Sequence, residues 1–182
     1  DLDRTMHDHR DTWTPPNSGA YLTWLKDETL PTFGSSETGV MPLGVNNVDC
    51  VVNANVLLAA GINGLHDLPG LVQADALLAH MIISDKWTNQ CAFYYPQRMM
   101  FPYTLTRAIR DGQAHAPESK KFLYLLAKQI LQLQNRNGSF HGGYDKSPVL
   151  ATALATVSLL NIGVKDSGIP QATYTAAINK SL

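Results

Sequence analysis

A carboxylate and two amides interrupt an otherwise apolar run. In GVNNVDCVVNANVLLAAGING (44–63), Asp49, Asn53 and Asn55 stand among Val, Leu and Ala. Buried amides need hydrogen-bond partners and cost stability without them. Two assignments follow: Asn53 and Asn55 hold the backbone of a neighbouring loop, or they line a polar pocket that receives a ligand. Asp49 falls in the first turn of the helix expected here. There a carboxylate satisfies unpaired N–H groups and the helix dipole. Other residues join the candidate pocket. Tyr94 and Tyr95 line a cavity or fill a gap between helices. In GGYD (142–145), Tyr144 and Asp145 form a pocket rim. The alternative there is a turn, with Gly142 and Gly143 at positive φ and Asp145 or Ser147 capping the next helix. Arg107 anchors an anion or pairs with a carboxylate at the surface.

The elements that position these residues read as helices. Residues 48–60 are apolar on nearly every side, with Asn47 as the expected N-cap and Gly61 as the stop. Leu71, Ala74, Leu77 or Leu78, and Met81 give a stripe to a second helix within 69–85. A third covers 101–112, with Pro102 in its first turn and Gly112 at its end. The clearest amphipathic helix lies within 119–134, with Phe122, Leu126, Ile130 and Leu133 on one face and Lys121, Lys128 and Gln132 on the other. Residues 148–162 are again apolar all round and end at Gly163, and a last helix follows from Pro170. No convincing period-2 strand is present, so the class is all-α. Helices apolar all round are expected inside, with amphipathic ones as an outer layer. Residues 1–43 read as an irregular N-terminal arm packed on a helical domain of 44–182. Within the arm, 20–28 reads as short helix or extended segment, and HDH (7–9) with Asp3 and Asp11 as a solvated cluster.

Composition narrows the function classes. The 182 residues are 45% hydrophobic and 16% charged, enough apolar content for one core. A net charge of -1 gives nucleic-acid binding no electrostatic support. No apolar run approaches the roughly 18 residues of a membrane span, so no transmembrane segment is expected. Two cysteines, Cys50 and Cys91, make no disulfide framework, and Cys50 reads as a small buried apolar residue. The chain starts at Asp1 with neither an initiator Met nor a signal-peptide pattern, and assigns itself no compartment. No cofactor is expected.

An internal repeat brings the two apolar helices into register. With Gly61 over Gly163, NVDCVVNANVLLAAG lies over VLATALATVSLLNIG, pairing Val51 with Ala153, Leu57 with Leu159 and Leu58 with Leu160. Such a repeat implies stacked helical hairpins, each burying its face on the next.

QNRNGSFHGGYDKSPVLATALATVSLLNIG resembles the repeat of the terpene cyclase and protein prenyltransferase superfamily. Gln134, Gly138 and Phe140 stand for its Gln, Gly and aromatic, although squalene-cyclase-type repeats usually have Trp at the last. AFYYPQRMMFPYTLTRAIRDG is also similar to segments of such proteins. The resemblance covers about residues 44–165 and implies an α/α toroid, an inner ring of helices inside an outer one. Helices of ~11–12 residues with loops of ~4–6 leave too few elements here for a double ring of six plus six. The expectation is a partial toroid, completed by a missing segment or another chain. The resemblance also implies a role for Asp49, since NVDC (47–50) overlies the Asp-x-Asp-Asp of class II cyclases, whose central Asp protonates an alkene. The other two acids are Asn47 and Cys50 here. The prenyltransferase branch implies a zinc held by Asp, Cys and His, for which Asp49, Cys50 and His141 are the nominal set. Adjacent helical residues point about 100° apart, so no metal site is expected.

Three functions follow. The first is a module binding a small molecule or partner in a central pocket. The second is an enzyme acting on isoprenoids, with Asp49 as acid, or on carbohydrate, for which Trp24, Tyr94 and Tyr95 offer stacking faces. The third is a helical interaction scaffold.

Overall fold

The computed structural model describes residues 19–23, 40–41, 44–45, 48–92, 94–95, 97–112, 115–142 and 147–182. Its described residues are mostly helical, as the periodicity predicts. The helices are α1 (Cys50–Ile62), α2 (Leu71–Ile83), α3 (Met100–Asp111), α4 (Pro117–Lys120), α5 (Leu123–Gln132), α6 (Pro148–Ser167) and α7 (Gln171–Ser181). A 3-10 turn covers Lys86–Thr88. A two-residue antiparallel pair joins Val40–Met41 with Gly44–Val45, where the expected irregular arm meets the helical domain.

Each helix packs on a few others. α1 packs on α2 and α3, α3 on α6, α6 on α5 and α7, and α2 on α4, with a smaller contact from α2 to α5. One core runs through these contacts, with Leu57, Leu78, Leu105, Leu126, Ile130 and Leu159 fully buried. Trp87 joins α2 to α5. Its Nε1–H donates to Gln129 Oε1 at 2.9 Å, while Gln129 Nε2 donates to the Ile82 carbonyl. The expected inward face of 119–134 holds, since Leu126 and Ile130 are buried and Lys121, Lys128 and Gln132 are exposed. That segment is two helices, however. The chain tightens at Lys121 and Phe122 into bonds back to Glu118 and Ser119, and α5 starts afresh.

Several helix ends differ from expectation. Asp49, not Asn47, is the N-cap of α1; Asn47 lies outside the described residues. Gly61 does not stop α1, which runs on to Ile62 and is capped by Asn63. Gly61 instead serves a crossing, because a Cβ there would lie 1.8 Å from the Gly112 carbonyl oxygen. Gly163 does not end α6 either. It adopts φ 74° and ψ 164°, a kink that only glycine adopts readily, and the helix resumes. The continuous Pro148–Ser167 is thereby one helix long and apolar enough, by length and composition, to cross a membrane. Sequence alone predicts that it closes at Gly163. The kink divides it, and Ala151, Leu154, Ala155, Leu159 and Ile162 are buried within the fold.

The two apolar helices are not enclosed on all sides. α6 leaves Val149, Leu150, Val157 and Leu160 exposed, and α1 leaves Asn55, Ala59 and Ile62 exposed. The two helices share part of a buried face at the positions the repeat pairs: Ala54 with Thr156, Leu57 with Leu159, Ala60 with Ile162. The Gln–Gly–aromatic motif also has a structural reason. Gln134 Nε2 donates to the Gly138 and Ala177 carbonyls at 3.0 and 2.9 Å, and Phe140 is fully buried. Gly138, at φ 90°, lies against the Lys180 carbonyl, where a side chain would not fit.

Candidate functional site

The start of α1 holds a connector in place by three ties. Asp49 is fully buried, and its Oδ1 accepts from the Val51 and Val52 N–H at 2.7 and 3.2 Å. Its Oδ2 accepts from the Tyr94 N–H at 3.3 Å. Cys50 forms a disulfide with Cys91, Cα to Cα 5.1 Å, and the Cys50 N–H donates to the Cys91 carbonyl at 2.7 Å. This corrects the reading of two independent cysteines. They lie 41 residues apart, and only the return of the chain past the start of α1 makes them neighbours. The bond also removes the Cys50 thiolate from the nominal zinc set with Asp49 and His141.

Asn53 and Asn55 separate. Asn53 is fully buried and binds a segment of the N-terminal arm as a strand would. The Tyr21 N–H donates to Asn53 Oδ1 at 2.9 Å, and Asn53 Nδ2 donates back to the Tyr21 carbonyl at 2.9 Å and to the Asp49 carbonyl. Tyr21 Oη then donates to the Pro69 carbonyl at 2.7 Å, joining the arm to the start of α2. Asn55, two residues on, points about 200° away around the helix and is exposed.

Asn55 stands in a cleft of about 810 Å³. One wall is the outer face of α1, with Val52, Asn55, Val56 and Ala59 at helical spacing. Leu65 and Leu68 from the α1–α2 loop and Tyr95 from the connector complete it. The wall is apolar apart from the Asn55 and Asn63 amides and the Tyr95 phenol. Asn63 Nδ2 donates to the Ala59 carbonyl, whereas the Asn55 amide bonds no group among the described residues. Burial, and then the negative charge of Asp49, pushes the Tyr95 pKa up, so its hydroxyl stays protonated and able to donate. Asp49 thus places Tyr95 by holding the Tyr94 backbone.

Of the other candidates, Tyr94 is half-buried and does not line the cleft. Tyr144, Asp145 and Trp24 lie outside the described residues, as do His7, His9, Asp3 and Asp11. Arg107 is exposed and approaches Asp111 at 3.7 Å, the carboxylate-paired arrangement. Sequence reasoning missed Leu65 and Leu68, which give no signal because the cleft they close exists only once the loop turns back over α1. It also missed Asp75. That carboxylate, buried in α2, accepts from the Glu118 and Ser119 N–H at 2.7 and 2.9 Å and so caps α4 from another helix. Comparison with models of known families, with curated proteins and with solved structures finds no match.

Proposed function

We propose that this chain is a binding module for a small, largely apolar molecule carrying one or two hydrogen-bonding groups, held in the cleft beside α1. The observation that carries the reading is the cleft wall itself. Val52, Val56, Ala59, Leu65 and Leu68 offer hydrocarbon, and Asn55 and Tyr95 offer polar groups whose side chains bond no other group among the described residues. A volume of about 810 Å³ lies within the usual range of ligand sites. A sugar would leave its many hydroxyls unpaired against such a wall, so an isoprenoid-like alcohol fits better than a carbohydrate. The partial α/α toroid belongs to the same proposal. What supports it is the sequential packing of α1, α3 and α6, with α2 on α1 and α5 on α6.

The test is calorimetric titration of the protein with farnesol and, separately, with maltose. Farnesol binding is expected, and Ala59→Trp, which fills the exposed wall without entering the core, is expected to weaken it at least tenfold at unchanged melting temperature. Tyr95→Phe and Asn55→Leu should each weaken it several-fold. Maltose binding without farnesol binding, or farnesol binding indifferent to Ala59→Trp, overturns the reading.

A further inference from the structure

Where α1 crosses the end of α3, at Gly61 and Gly112, the chain leaving each helix carries a histidine. His66 lies in the α1–α2 loop and His115 just ahead of α4. His66 Nδ1 stands 2.9 Å from His115 Nε2, with ring centroids 4.8 Å apart and planes inclined by 26°. His66 is exposed and His115 half-buried, so ions reach the pair from solvent.

Both carriers are held from behind. The Gly64 and Leu65 N–H groups donate back to the Gly61 and Ala60 carbonyls, which fixes the loop on the end of α1. On the other side, Asp75 caps α4 two residues beyond His115, and Ser119 Oγ donates to the Asp75 backbone and carboxylate. Two imidazoles are thus presented at short range by anchored segments, and the ordering that a ligand pair demands is already in place.

We propose that His66 and His115 form a surface site for a divalent transition-metal ion of the copper(II) or nickel(II) type. Metal–imidazole bonds of about 2.0–2.1 Å meeting across the observed 2.9 Å enclose an angle of about 90°. That is the cis angle of square-planar or octahedral coordination, and narrower than the tetrahedral angle of zinc. The two nitrogens that now share one proton become the ligands. That proton moves to the far nitrogen of its own ring, leaving the tautomer with N–H at His66 Nε2 and at His115 Nδ1, so no net proton is released from the neutral pair. Among the described residues no group of three or more His, Cys, Asp or Glu converges. Water or a bound small ligand fills the remaining positions, and the ion exchanges readily. The ion ties the α1–α2 loop to the segment ahead of α4. That loop also carries Leu65 and Leu68, but the metal proposal stands apart from any ligand in the cleft.

The experiment is thermal unfolding and calorimetric titration with nickel(II) chloride, and with magnesium chloride as control. The protein is the full chain carrying His7→Ala and His9→Ala, so that the N-terminal cluster contributes no ligands. The expected result is one nickel site and a melting temperature raised by about 5 °C at a hundredfold excess over Kd, with no response to magnesium. His66→Ala and His115→Ala should each lower nickel affinity at least tenfold and abolish the shift, with metal-free melting within a few degrees of the parent. Absence of a nickel site in the parent overturns the proposal. So does a site that survives both single substitutions.

Discussion

A Cβ placed on Gly61 would lie 1.8 Å from the carbonyl oxygen of Gly112, so the two helices α1 and α3 touch backbone to backbone at that point. The contact brings the exit of α1 beside the exit of α3, and with it the loop carrying Leu65, His66 and Leu68 beside the segment carrying His115. Gly61 sits at an ordinary helical conformation, and space rather than φ requires the glycine. Replacement by alanine forces the helices apart, because the obstacle is backbone. Gly61→Ala is expected to cost about 3 kcal/mol, at the upper end for overpacking. Urea unfolding measures it, and a loss below about 1 kcal/mol would show that the crossing is loose.

The Cys50–Cys91 bond closes a loop whose ends are 41 residues apart and which contains all of α2. Loop-closure entropy at that length predicts a stabilisation of about 4 kcal/mol, with typical bonds giving 2–4. The double substitution Cys50→Ala, Cys91→Ala should therefore lower the unfolding free energy by about 3 kcal/mol. Thiol titration of the unfolded wild type without reductant should find no free cysteine. Two titratable thiols there would refute the pairing.

Asp49 tests whether the start of α1 and the connector act together. Asp49→Ala removes the cap from Val51 and Val52 and leaves the Tyr94 N–H without its acceptor. A loss of about 2 kcal/mol is expected. Asp49→Asn keeps an acceptor for Val51 and should cost about half as much. Amide exchange at Tyr94 should quicken in both variants. Unchanged exchange there would mean that the connector is held by the two Cys50–Cys91 ties alone.

Acid should weaken the fold through His115. Burial first, and then the neighbouring His66 cation, holds its pKa below the ordinary 6.5. Between those two values the unfolded chain binds more protons than the native one, so stability falls as pH falls. The contribution is fully present above pH 6.5 and is lost as pH drops toward and below the folded pKa. Urea midpoints measured from about pH 7.5 down to about pH 5 should decline more steeply for wild type than for His115→Asn. Parallel profiles would remove His115 as the cause.

The sequence by itself determined the helices and which side of several is buried. Periodicity placed α2 and the α5 face, because an amphipathic stripe is written locally in residues three and four apart, while proline and glycine bounded α3 and a proline marked the start of the last helix. It also raised the right question at Asp49 and Asn53, since polar groups in an apolar run demand partners wherever they lie. What it did not contain was who those partners are. Tyr21 reaching Asn53, Cys91 reaching Cys50, Asp75 reaching the start of α4 and His115 reaching His66 join residues 32 to 49 positions apart. Such pairs leave no local pattern, and their geometry exists only after the helices have crossed. The same holds for the cleft. Asn53 and Asn55 are equivalent in composition and two residues apart, yet tertiary packing assigned one to a buried backbone clamp and the other to an open wall. At Gly61 and Gly163 sequence logic wrote helix stops. Tertiary packing used the first for a close crossing, and backbone conformation made the second a kink, since glycine permits contacts and dihedral angles that no other residue does.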